Sequence, residues 1–223
     1  MKAVLLDSFG TLLRMDAPGP HLRRELAALG AEVSEERAAA AFRAEIAYYL
    51  EHNLEGRDAD SLLDLRSRCA AVVREAIGRP DLDLGSVREA MLRSIRFSAF
   101  ADAAPALEDL RGRGLRAVVA SNWDCSLPQA LEHAGLRSLV DGVVASAVVG
   151  AAKPAPELFR AALELVGAEP EDALHVGDSL EKDVEGARAA GLRAVLIARD
   201  GGAEPDRDTP VIRSLAELPA LLT

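Results

Sequence analysis

The chain has 223 residues, 49% of them hydrophobic and 28% charged, and acidic side chains outnumber basic ones to leave a net charge of −10. This composition is globular rather than disordered, and the length gives one domain with an insertion room to fold without disulfides or a structural metal. The acidic surplus argues against nucleic acid and anionic membrane surfaces as partners, so a small anionic substrate has to be held by a local positive device.

In chain order, the run AVLLD at residues 3–7 reads as a buried parallel strand ending in a carboxylate. Residues 14–96 then show no strand pattern. They are filled by amphipathic stretches at 21–29, 34–52, 61–77 and 86–97, with Pro18, Gly19 and Pro20 punctuating the entrance. From residue 97 onward short apolar runs at 115–122, 142–146, 173–178 and 193–198 alternate with helical stretches at 103–113, 127–134, 156–166 and 180–190. Gly114, Gly135, Gly167 and Gly191 stand where helix C-caps belong. The pattern predicts an α/β fold, a doubly wound parallel sheet made of residues 1–13 and 97–223, with residues 14–96 inserted as an all-helical domain. Such an insertion follows the first strand, at the carboxyl edge of the sheet, where open α/β folds bind ligands.

No apolar run approaches the roughly 20 residues that span a bilayer, and the opening MKAVLLD meets an aspartate too early for a signal peptide. A cytoplasmic protein is the expectation. Cys69 and Cys125 lack metal or redox spacing and read as unpaired thiols.

Three strands end in polar groups: Asp7, the pair Ser121 and Asn122, and Asp178. Parallel strands bring these ends to one rim. Any one of them can be a turn cap, but the three together form a constellation. Lys153 joins them as one of only three lysines, the others being Lys2 and Lys182, and a compact ammonium suits a carboxylate nucleophile or a phosphoryl oxygen. Asp183, in the helix start after Asp178, either serves the helix dipole or completes a carboxylate cluster with Asp7 and Asp178. That cluster suits a hard divalent cation such as Mg²⁺.

Asp7-Ser8-Phe9-Gly10-Thr11-Leu12, Ser121-Asn122, Lys153-Pro154 and Gly177-Asp178-Ser179 through Asp183 resemble, in order, the four motifs of the haloacid dehalogenase-like hydrolase superfamily. The helical insertion resembles its C1-type cap. The resemblance implies a Rossmann-like core and a covalent mechanism in which Asp7 attacks the substrate. It also implies that Ser121 and Asn122 hold the transferring group and that Lys153 offsets charge at Asp7. Mg²⁺ would sit on Asp7, Asp178 and the backbone carbonyl of Phe9, with Asp183 a ligand directly or through water.

One position departs from the pattern. Phosphatases of the superfamily carry a second aspartate two residues after the nucleophile as general acid, and here that residue is Phe9. Three readings follow. The chain is a Mg²⁺-dependent phosphatase for a small phosphorylated metabolite, with an activated leaving group or another proton donor. Alternatively it is a metal-independent 2-haloacid dehalogenase, whose halide leaves unprotonated, although Asp178 and Asp183 look metal-binding. The third reading is a non-catalytic binding or regulatory protein. The insertion offers Arg43, Tyr48, Tyr49 and His52 as substrate contacts. Trp123 reads either as a site-mouth residue or as packing, His175 as a core histidine, and Asp200 as the start of a turn before Gly201 and Gly202.

Overall fold

The computed structural model describes residues 1–199 and 208–222; Asp200, Gly201 and Gly202 lie outside the described residues. The chain opens with β1 (Ala3–Leu6), turns into β2 (Leu13–Met15) and passes through α1 (Pro18–Ala27), α2 (Glu35–His52), α3 (Ala59–Ala76) and α4 (Leu84–Ser94) before β3 (Phe97–Ala99). Then come α5 (Ala103–Gly112), β4 (Arg116–Ser121), α6 (Leu127–His133), β5 (Gly142–Ala145), α7 (Ser146–Val149), α8 (Pro156–Val166) and β6 (Ala173–Gly177). A π-helical turn, Leu180–Glu185, runs into α9 (Gly186–Ala189), followed by β7 (Arg193–Ile197), β8 (Val211–Ile212) and a 3₁₀ segment, Leu215–Leu221.

Contacts divide the chain into two compact units, one of Met1–Arg14 with Ser98–Thr223 and one of Met15–Phe97. The first holds a six-stranded sheet in the order β5-β4-β1-β6-β7-β8, and every pair is parallel. β1 is buried along its whole length, as a strand covered on both faces requires. Register sets the site: Leu6 lies beside Val119 of β4 and Val176 of β6, and the Asp7 N–H donates to the Val176 carbonyl at 2.9 Å. The carboxyl ends of β1, β4 and β6 therefore finish level. The apolar cluster on one face of the sheet joins β1 and β4 to α8 through Leu5, Val118, Leu158, Phe159 and Leu163.

The helical unit closes its core with Leu22, Leu26, Phe42, Leu65, Val73 and Met91. Its first helix starts earlier than the sequence pattern predicts, because Pro18 and Pro20 lie inside its first turn. N–H groups there have no helical partner, so proline costs nothing. Gly19 faces α2 closely enough that a Cβ would meet the Ala39 Cα at 3.2 Å. At the other end the helix expected over 86–97 stops at Ser94: Ile95 is extended (φ −84, ψ 113), and Phe97 begins β3, which pairs with β2. These two short strands, and β8, have too few residues to show a two-residue period. Among the described residues, no helix is long and apolar enough to cross a membrane.

Glu45, on the inner face of α2 with Ala38, Ala41 and Phe42, is only 4% exposed. Burial pushes its carboxyl up to about 7, against the opposing effect of a hydrogen bond with Cys69. An acid that holds its proton more tightly in the folded state loses stability as pH rises from its unfolded value through its folded one. Stability is thus expected to fall between about pH 4.5 and 7, and Glu45→Gln to remove that slope and add up to about 3 kcal/mol at pH 8. Urea midpoints at pH 5 and pH 8 check this; parallel pH profiles for the two proteins would refute it.

Candidate active site

The turn after β1 is wound tightly about one carbonyl. The N–H groups of Thr11, Leu12 and Leu13 all donate to Ser8 O, at 3.3, 2.8 and 2.8 Å, which lifts Phe9 outward until it is 46% exposed. Gly10 has φ +85, and a Cβ on it would lie 2.1 Å from Asp178 Oδ2. Only glycine lets this turn seat the Asp178 carboxylate. The same device recurs below it: a Cβ on Gly177 would lie 2.1 Å from the Asp183 Cγ.

Asp183 itself sits in the π-helical turn, a local widening found mostly at functional positions. Gly186, just beyond, lets this segment press on the residue after Lys153, since a Cβ there would meet the Pro154 Cα at 2.9 Å. The result is a buried ionic cluster. Lys153 Nζ donates to Asp7 Oδ1 and to Asp183 Oδ1, each at 2.5 Å; Ser121 Oγ donates to the same Asp7 oxygen at 2.9 Å. His175 Nε2 lies 2.9 Å from Asp183 Oδ1, and the Ser179 N–H donates to Asp183 Oδ2 at 3.0 Å.

Asn122 bonds the backbone of Lys153. Its Oδ1 accepts from the Lys153 N–H at 2.7 Å and its Nδ2 donates to the Lys153 carbonyl at 3.0 Å. The amide therefore splints the loop that carries the ammonium. Trp123 is buried, and its backbone N–H donates to Ser146 Oγ at 3.1 Å. His175, read from sequence as a core histidine, is buried as expected but belongs to the cluster. The readable signal was alternation: residues 175 and 177 of a strand share a face, and Asp183 rests on Gly177.

The electrostatics follow from burial. Desolvation raises the Asp7 carboxyl, working against the nearby Lys153 charge. Desolvation and then the charges of Asp7 and Asp183 push Asp178 up to about 6. Asp183 is held well below the carboxylate range, since Lys153 and His175 together outweigh its burial. Lys153, although burial opposes its charge, is raised by its two carboxylate partners.

Carboxylate oxygens of Asp7, Asp178 and Asp183 lie within 4.8 Å of one another. Three like charges so close repel, and one ammonium cannot balance them; a hard divalent cation fits both the donor set and the surplus charge. Asp7 and Asp178 are the residues that could hold it. Asp183 spends Oδ1 on Lys153 and His175 and part of Oδ2 on Ser179, which suits contact through its remaining lone pair or through water.

The residues expected to contact substrate from the insertion lie in the helical unit, where Tyr48, Tyr49 and His52 have partners. The Tyr48 hydroxyl accepts from Arg68 Nη1 at 2.8 Å, Arg68 also pairing with Glu55 and Asp64. The His52 ring stacks on Tyr48 at 4.1 Å, with its Nδ1 2.8 Å from the Tyr48 carbonyl. Tyr49 packs against the unit's core, and Arg43 is exposed.

Comparison with known proteins bears on the family to which the chain belongs. A phosphatase of Mycobacterium tuberculosis is 40% identical over 148 residues, 64% of this chain and 66% of that protein. Phosphoserine phosphatase of Thermus thermophilus is 38% identical over 143 residues, 63% of this chain and 57% of its own length. The matches thus span less than two thirds of either relative. Among solved structures, a HAD phosphatase from Thermococcus onnurineus superposes with a TM-score of 0.67 and 29% identity, covering 100% of this chain and 98% of that one. The description "haloacid dehalogenase-like hydrolase" matches residues 1–191. With the sheet, the inserted helices and the four motifs all in place, the chain belongs to the haloacid dehalogenase-like hydrolase family.

Proposed function

We propose that this protein is a Mg²⁺-dependent phosphatase that hydrolyses a small phosphorylated metabolite through an aspartyl-phosphate on Asp7. The observation that carries the reading is the posture of Asp7: Oδ1 is clamped by Lys153 and Ser121, which leaves the other oxygen for chemistry, and carboxylate oxygens of Asp7, Asp178 and Asp183 lie within 4.8 Å of one another. A carboxylate held this way is oriented for in-line attack on phosphorus. Lys153 spends two of its three N–H donors on Asp7 and Asp183, leaving one for a phosphoryl oxygen. Ser121 fixes the attacking carboxylate, and Asn122 fixes Lys153. Asp7, Asp178 and the Phe9 carbonyl would hold Mg²⁺, with Asp183 behind them, and the cation would supply the charge that lets an anionic substrate approach anionic side chains. The phosphatase names of the relatives support the same chemistry.

Phe9 stands where a proton donor to the leaving group is expected, and it has none to give. This favours substrates whose leaving group departs as an anion. It also supports a second reading, dehalogenation of a 2-haloacid, in which halide needs no proton; the three converging carboxylates weigh against it. Release of phosphate from p-nitrophenyl phosphate and acetyl phosphate, with Mg²⁺ and then with EDTA, decides between them. Turnover that requires Mg²⁺ is the expected result. Halide release from 2-chloropropionate in EDTA, without phosphate release, would establish the second reading, and inactivity on both with no Mg²⁺ binding would point to a binding protein.

Phe9→Asp is expected to restore what the site lacks. A positioned acid is worth about 10²–10⁴-fold for an unactivated leaving group. The variant should therefore gain far more on a simple alkyl phosphate than on p-nitrophenyl phosphate, read as the ratio of the two kcat/KM values. Equal changes on both substrates would show that Phe9 does not occupy the acid's place.

A further inference from the structure

His175 stands out as a buried ring in the middle of the cluster with no part in the proposed chemistry. It is fully enclosed in β6, its Nε2 lies 2.9 Å from Asp183 Oδ1, and the edge-on Phe159 ring, 5.1 Å away, fills its other side. Its Nδ1 is buried with no hydrogen-bond partner. These facts determine its state. An ionised carboxylate accepts hydrogen bonds and cannot donate, so Nε2 carries the proton. A proton on Nδ1 as well would be a buried donor with nothing to receive it, which costs more than an empty lone pair.

The same Asp183 oxygen takes the ammonium of Lys153 at 2.5 Å, and that ammonium clamps Asp7. A carboxylate in a widened helical turn can rotate about its side-chain torsions unless it is held from more than one direction. The Ser179 N–H holds one oxygen. The other is held from below by His175.

We propose that His175 is a positioning residue: through its Nε2–H it locks the Asp183 carboxylate, and through Asp183 it sets the place of the Lys153 ammonium against Asp7. It touches neither substrate nor reacting atom. The kinetic consequence rests on the phosphatase reading; the structural consequence does not, and the test separates them.

Two variants divide the role. His175→Gln carries an amide N–H at nearly the distance of Nε2, whereas His175→Leu fills the space without a donor. With p-nitrophenyl phosphate and Mg²⁺, His175→Leu is expected to lose about 10- to 100-fold in kcat, the usual cost of removing such a supporting partner, with KM nearly unchanged. His175→Gln should recover most of the loss. Equal activity in the two variants would assign the ring to packing alone and overturn the proposal.

Two NMR readouts need no turnover. In wild-type protein, ¹⁵N shifts of His175 should show a protonated Nε2; a bare Nε2 overturns the proposal. With only three lysines in the chain, ¹⁵N-lysine labelling isolates the Lys153 NH₃⁺ signal. It should persist, protected from exchange, in wild type and His175→Gln and be lost in His175→Leu. An unchanged signal in His175→Leu would refute the lock even if the enzyme proved inactive on every phosphate tried.

Discussion

Asp7→Asn is expected to abolish phosphate release, by more than about 10⁴-fold on the scale of removing a catalytic nucleophile, without lowering stability by more than about 1 kcal/mol. The two effects part company because the two oxygens of Asp7 do different things. Oδ1 receives Lys153 and Ser121, and the carbonyl oxygen of asparagine can keep both bonds. Oδ2 is the attacking atom in the proposed reaction, and an amide nitrogen in its place has no lone pair to offer phosphorus. Burial penalises the negative charge of Asp7, so a neutral amide relieves a desolvation cost while forfeiting attraction to Lys153. Turnover assays beside urea denaturation read both quantities. Substantial Mg²⁺-dependent turnover by Asp7→Asn would end the covalent reading.

Lys153→Met should have the opposite profile, losing stability and activity together. Its side chain is 2% exposed and is paired with Asp7 and Asp183. Methionine fills the space of the stem but leaves two buried carboxylates facing Asp178 with no countercharge. Breaking a buried ion pair from one side costs about 3–5 kcal/mol, which for a chain of this size is a fall in Tm of roughly 10 °C. The double variant Asp7→Asn/Lys153→Met should be less destabilised than the sum of the single ones, since the first change removes one of the charges stranded by the second. Additive losses would show that the pair is not energetically coupled. Arginine is no conservative substitute here: a planar fork has no room where a single ammonium bridges two oxygens at 2.5 Å.

What the sequence made legible is what depends on local pattern. Asp7, Ser121 and Asp178 could be assigned to one rim because apolar runs ending in polar residues specify parallel strands, and parallel strands end together. The capping glycines were equally readable: Gly114, Gly135, Gly167 and Gly191 all have positive φ. What escaped depends on pairing at a distance or on departures from regular geometry. β2 and β3 exist only because each finds the other across the insertion, and neither is long enough to announce itself. The π-helical turn adds a residue to a helical period and rotates Asp183 toward Lys153, which no 3.6-residue pattern displays. Asn122 was legible as a site residue, but its post as a splint for Lys153 was not, since a side chain's partner 31 positions away leaves no mark on the residues around it.

The ribbon of β2 and β3 also bears on how the chain folds. Asp7 and Ser121 must meet across 114 positions, a separation at which closing the loop is costly and slow. Much of that interval is the helical unit, in which each helix packs on the next and α1 packs on α4, and its two ends are tied where the Asp16 N–H donates to the Arg96 carbonyl at 3.0 Å. Once those helices assemble, the connection between β1 and β4 becomes a short path through the ribbon. The insertion acts as an entropic clip, letting the nucleophile find its strand partner as though the intervening sequence were a small loop.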